Sequence, residues 1–125
     1  MSLRKQEVQT KLKEINMKIT YNKLIRDKIP QIIKNNKQTP IIRKLDEEEF
    51  AQELLKKLEE EVKEVIGAKN SKEELMKELS DVYEVIDTIV DLYKLDKNSI
   101  LKLQENKQQE RGGFKKRIFL ISVEE

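Results

Sequence analysis

Residues 46–94, DEEEFAQELLKKLEEEVKEVIGAKNSKEELMKELSDVYEVIDTIVDLYK, decide the fold. Apolar residues recur there at helical spacing in two runs. The first is Phe50, Ala51, Leu54, Leu55, Leu58, Val62, Val65 and Ile66; the second runs from Leu75 and Met76 through Leu79, Val82, Val85, Ile86 and Ile89 to Tyr93. Each run opens on a helix-start signal. Asp46 with Glu49, and Ser71 with Glu74, have capping-box spacing, in which a side-chain oxygen accepts from a backbone N–H left open in the first turn. Gly67 is the expected C-cap of the first helix, and the second is expected to reach about Lys94. A connection as short as 68–70 makes the pair an antiparallel hairpin. The expected fold is therefore all-α, with the hairpin completed to a four-helix-type bundle. The apolar arc of the second helix is wider than a chain of 125 residues can cover alone. Completion is thus expected to come from oligomerisation.

Outward from the hairpin the signals are shorter. Residues 3–15 have weak helical spacing at Leu3, Val8, Leu12 and Ile15. Residues 1–16 are expected to be an N-terminal extension, in part an addition made for expression, with Met17 as an alternative native start and 17–125 as the functional domain. Residues 18–21 and 41–45 are expected to be extended. Between them Leu24, Ile25, Ile29, Ile32 and Ile33 are interrupted by Pro30, which predicts a turn or a kinked short helix. Asp96 or Asn98 is expected to cap a further helix through Glu110, ended by Gly112-Gly113. Ile118, Phe119, Leu120, Ile121 and Val123 predict a short closing strand.

Composition restricts the chemistry. The chain has no His and no Cys, which removes imidazole and thiol catalysis, disulfides and zinc or iron–sulfur sites built on those ligands. Three glycines cannot supply a dinucleotide-binding turn or a Walker loop. What is left is carboxylates, Lys, Arg, hydroxyls and a metal that prefers oxygen. No apolar run reaches the ~18 residues of a membrane helix, and the N-terminus lacks a signal-peptide core. The chain is read as cytoplasmic, with no membrane partner.

The net charge of +2 conceals a segregation. Residues 46–91 hold 16 acids against six bases, a balance of −10, so the flanks carry +12. Lys/Glu-rich helices commonly carry such charge on solvated faces. The alternative is a cation site in the hairpin with basic residues nearby for an anion. A nucleic-acid polymer is disfavoured as a partner, because the acidic block would repel it. Placed at about 100° per residue, Glu61 falls inside the apolar arc of the first helix and Glu64 on its border. On the second helix Glu78 falls inside the arc and Asp81 at its edge. Unpaired buried carboxylates cost several kcal/mol each. Four converging acids need Lys side chains (Lys57, Lys63 and Lys77 are nearest in sequence) or a divalent cation between them, and oxygen-only ligands favour Mg²⁺ or Mn²⁺.

The pattern E-E-x-x-E at Glu60, Glu61 and Glu64, then after 13 intervening residues E-x-x-D at Glu78 and Asp81, resembles the MazG-like all-α nucleoside triphosphate pyrophosphohydrolases. KLEEEVKEV (57–65) and EELMKELSDVYEVID (73–87) look like the two core helices of that superfamily. YNKLIRDKIPQII (21–33) and RGGFKKRIFL (111–120) look like its phosphoribosyl-ATP pyrophosphohydrolase-like branch. The resemblance spans roughly residues 17–121. It implies a homodimer or homotetramer joined through these helices, and Mg²⁺, with Mn²⁺ as a substitute, on Glu61, Glu64, Glu78 and Asp81. It implies catalysis by Glu61 and by Glu60 as an accessory carboxylate that orients or activates water. The phosphate tail of a nucleotide substrate would meet Lys23, Arg26, Lys28 and Lys57 and, from the other side, Lys107, Arg111 and Lys115. For Arg26 the competing reading is a salt bridge to Asp27 or Glu64; for Gly112-Gly113, whose N–H groups could approach an anion, it is a helix C-cap. The implied reaction is hydrolysis of a nucleoside triphosphate to monophosphate and pyrophosphate, of the house-cleaning kind. Phosphoribosyl-ATP hydrolysis in histidine biosynthesis and a catalytically silent helical interaction module are the alternatives. The histidine-pathway enzymes carry a Tyr-His pair after the second-helix acid, where this chain has Val82-Tyr83-Glu84.

Overall fold

The computed structural model describes residues 18–125. The described residues form four helices and no strand: α1 (Ile29–Asn35), α2 (Glu47–Gly67), α3 (Lys72–Leu92) and α4 (Lys97–Arg111). The chain divides into two compact units, the first ending at Ile89 and the second being Val90–Glu125. The helix expected within 3–15 lies outside the described residues. No helix among the described residues is long and apolar enough to cross a membrane.

The first unit is built on the α2–α3 hairpin. The Asp46 side chain accepts from the Glu49 N–H at 2.8 Å, and Ser71 Oγ accepts from the Glu74 N–H at 3.3 Å. Both expected N-caps are thus formed. The reciprocal half of the first capping box is not. The Glu49 carboxylate is taken by Arg43 in a two-pronged pair at 2.6 and 2.8 Å, and this bond holds the Glu49 carboxyl below its ordinary value. That fork ties the segment before α2 to the first turn of the helix.

Helix ends depart from the expectation. Gly67 does not cap α2; it is the last helical residue, and Ala68 follows with its N–H directed at the Glu64 and Val65 carbonyls. After α3 and after α1 a left-handed lysine makes the reversal. After α3, Lys94 has φ 53° and the Leu95 N–H reaches back to the Val90 carbonyl at 2.9 Å. After α1, Lys37 has φ 61° and the Gln38 N–H reaches the Ile33 carbonyl at 3.2 Å. These six-to-one bonds are the Schellman closure, here made without glycine. Pro30 sits in the first turn of α1, where its missing N–H costs nothing, so the interrupted apolar run becomes a short helix. In the second unit, Asp96 caps α4 by accepting from the Asn98 N–H. Gly112 ends the helix with φ 81° and its N–H on the Gln108 carbonyl, so the C-cap reading of this glycine holds.

The strand expected over 118–123 is not formed. A strand needs a neighbour for its backbone N–H and C=O groups, and the described residues offer none. Ile118, Phe119, Leu120, Ile121 and Val123 are exposed. The segments 18–21 and 41–45, expected to be extended, likewise carry no regular structure.

Among the described residues only Leu54 on α2 (3% exposed) and Val85 on α3 (7%) are buried hydrophobic side chains. Leu55, Val62 and Ile66 of α2 and Met76, Tyr83 and Ile86 of α3 are exposed. Leu54→Ala is expected to cost about 2–5 kcal/mol of unfolding free energy by the loss of buried methyl groups. Asp46→Ala is expected to cost about 1 kcal/mol through the lost cap. Urea denaturation of both variants measures the two values on one scale.

Candidate metal centre

Three acids from the two hairpin helices meet. One carboxylate oxygen each from Glu61 on α2 and from Glu78 and Asp81 on α3 lie within 4.8 Å of one another. Glu61 is seven residues from the end of α2 counting Gly67, and Glu78 is the seventh residue of α3. Their meeting across a four-residue connection fixes the hairpin as antiparallel. Glu61 is 8% exposed and is the buried charged residue among the described ones; Glu78 and Asp81 are half-buried. Of the carboxylates that fall out of phase with the polar faces in sequence, Glu61 is buried and Glu64, Glu78 and Asp81 are half-buried. Glu64, one turn beyond Glu61, is outside the close group, but its charge acts on Glu78.

The four acids do not share one environment. Lys57 Nζ lies 3.3 Å from Glu61 and 3.5 Å from Glu60, with its stem largely buried along α2. Lys23 Nζ donates to Glu60 at 3.2 Å and stands 5.6 Å from the centre of the Tyr21 ring. Arg26 donates through Nη2 to Asp81 Oδ1 at 2.6 Å. Arg26 therefore does pair with an acid, but with Asp81 across the fold rather than with Asp27 or Glu64. Two cations three residues apart in the segment before α1 thus reach one helix each, Lys23 to α2 and Arg26 to α3. Lys63 and Lys77 do not enter the cluster; they pair with Glu59 and Glu74 on the outer faces.

Glu78 has no ion pair with a described residue. Burial raises its carboxyl above the ordinary glutamate value of 4.5, and Glu64, Asp81 and Glu61 push it the same way. A desolvated acid among acids is stabilised by positive charge, and the donor set fits a hard divalent cation. All three donors are oxygens. Their mutual separations are close to those around a single ion held at ~2.0–2.6 Å, allowing a small closure. The expected phosphate ligand Lys28 precedes α1 and is exposed; Lys107 and Arg111 lie on α4, in the second unit.

The model of the phosphoribosyl-ATP pyrophosphohydrolase family matches residues 26–102. The chain belongs to this family. The match contains Glu61, Glu64, Glu78 and Asp81, both hairpin helices and Arg26, and it makes the chain a nucleotide pyrophosphohydrolase by class. No curated protein and no solved structure matches it.

The raised Glu78 carboxyl has a signed consequence. The folded state binds this proton more tightly than the unfolded chain. The associated stability is complete below about pH 4.5 and is lost as pH rises through the folded value. Glu78→Gln, which mimics the protonated form, is expected to melt above the wild type at neutral pH in chelator, with the difference closing on acidification. Adding Mg²⁺ is expected to raise the wild-type melting temperature and leave that of Glu78→Gln unchanged. Thermal denaturation across pH, with and without chelator, reads both.

Proposed function

We propose that this chain hydrolyses a nucleoside triphosphate, or a related nucleotide, between the α and β phosphates, giving the monophosphate and pyrophosphate. The observation that carries this reading is the convergence of Glu61, Glu78 and Asp81 oxygens within 4.8 Å at the centre of the segment matched by the family. Glu61, Glu64, Glu78 and Asp81 are the residues that would hold Mg²⁺ or Mn²⁺. A bound divalent ion supplies charge neutralisation for the phosphate oxygens and polarises the phosphorus centre.

The side chains of the protein account for the rest. Glu60, beside Glu61 and fixed by Lys23 and Lys57, orients water and accepts its proton as the water oxygen adds to phosphorus. The bridging phosphorus–oxygen bond breaks and pyrophosphate departs with the electron pair. Lys23, Arg26 and Lys57, paired with Glu60, Glu61 and Asp81, bring positive charge to the acidic cluster for the phosphate tail, and Lys28 enters through the resemblance. Lys107 and Arg111 enter this reading through the resemblance alone. The exposed apolar residues of α2 and α3 favour a homo-oligomer that covers them; sedimentation equilibrium is expected to give a multiple of the 14.9 kDa chain mass.

Phosphoribosyl-ATP hydrolysis is the second reading, favoured by the description of the matched family. It breaks the same type of bond. The absence of histidine, and of the Tyr-His pair in particular, favours a nucleotide-pool substrate instead. A panel of ribo- and deoxyribonucleoside triphosphates and phosphoribosyl-ATP, assayed for pyrophosphate with Mg²⁺ or Mn²⁺, separates them. Glu61→Gln and Asp81→Asn are expected to abolish release, a loss of at least ~10²-fold, while keeping the helical circular dichroism. No release from any nucleotide with either ion would overturn the enzyme reading in favour of a silent helical module.

A further inference from the structure

Resting on that metal reading, we infer that Arg26 is a displaceable counter-cation that occupies Asp81 until a divalent ion takes its place. Three observations bear on this assignment. Arg26 donates to Asp81 Oδ1 at 2.6 Å, and Asp81 belongs to the triad of close carboxylates. The two side chains of this pair are 55% and 38% exposed. Arg26 comes from the segment before α1, 55 residues away in sequence, so its removal leaves α3 intact.

The chemistry of the three cluster acids is then asymmetric. Glu61 has Lys57 from its own helix, four residues away and largely buried, a cation that stays with α2. Glu78 has burial and like charges around it. Asp81 has a guanidinium on a separate, exposed segment. A short, well-aligned pair is normally a poor candidate for release. An exposed pair, however, gains little from its alignment, because water solvates both partners when they part. Arg26 can therefore hold Asp81 in position in the metal-free protein and yield it at small cost. A guanidinium also suits phosphate as well as carboxylate, through the same planar fork. Once displaced, Arg26 remains beside the cluster and its fork is open to a phosphate oxygen. By linkage, whatever draws Arg26 away from Asp81 tightens the ion, and the ion frees Arg26 in turn. A fixed structural tether would do neither.

Titration of Mn²⁺ into the full chain without nucleotide, with unbound ion counted by electron paramagnetic resonance, tests the inference. Arg26→Gln is expected to bind Mn²⁺ about two- to fivefold more tightly than the wild type, the range an exposed ion pair can withhold. The gain is expected to shrink as salt rises. Arg26→Lys, which keeps the charge and loses the fork, is expected to lie between the two, and it retains the comparison if the Gln variant is unstable. Equal or weaker Mn²⁺ binding by Arg26→Gln, with a lowered melting temperature, overturns the inference and makes Arg26 a tether. Glu78→Gln serves as the control. Absence of Mn²⁺ binding by the wild type, or binding unchanged in Glu78→Gln, overturns the metal reading itself and the inference with it. Binding lost in Glu78→Gln but equal in wild type and Arg26→Gln overturns the inference alone.

Discussion

The structure depends on mutual repulsion held in place by apolar packing. Glu61, Glu78 and Asp81 converge between two helices whose buried hydrophobic residues are Leu54 and Val85. Two like charges ~5 Å apart repel by about 3–4 kcal/mol at an effective dielectric near ~20. The hairpin bears this load with few buried hydrophobic side chains, and three cations offset part of it. Lys57 is built into α2, while Lys23 and Arg26 arrive from the preceding segment. The result resembles a clamp: the two helices are pressed together by packing, pushed apart by charge and crossed by a strap that cancels part of the charge.

This constraint explains why acidic and basic residues segregate along the chain while the net charge stays near zero. Cations placed within the hairpin, like Lys63 and Lys77, end up on outer faces with the nearest acid of their own helix. Cations that must meet inward acids on a different helix have to come from elsewhere. The basic stretch ahead of the hairpin supplies them, through Lys23 and Arg26.

Much of this is legible in the sequence. Periodicity placed α2 and α3 to within a residue or two, because both are long and both are capped by side chains whose spacing is local. The inward carboxylates were legible for the same reason: a charge at Glu61 or Glu78 breaks a pattern its neighbours establish. The pairing of Arg26 with Asp81 was not, since contacts between residues 55 apart leave no periodic trace. Helix starts are legible through the Asp46 and Ser71 caps, whereas helix C-termini are legible only in part. Gly112 was read correctly as a C-cap, while the left-handed Lys37 and Lys94 carry no such sign and Gly67 carried a false one. The closing strand was over-read: Ile118 through Val123 have the composition of a strand, but composition does not provide a partner.

The connection at 68–71 sets the register of the whole centre. Ala68 closes onto Glu64 and Val65, Ser71 donates its N–H to Ala68, and Leu75 closes onto Ser71, so no slack remains between the helices. Each residue added or removed there would slide one helix along the other by ~1.5 Å and turn it by about 100°. Glu78 and Asp81 would then leave the seam and a neighbour such as Leu79 would enter it. The turn is exposed, and exposed turns ordinarily tolerate changes in length. This one is instead a gauge block: its length determines which side chains face each other, and a chain of altered length could keep both helices yet lose the centre.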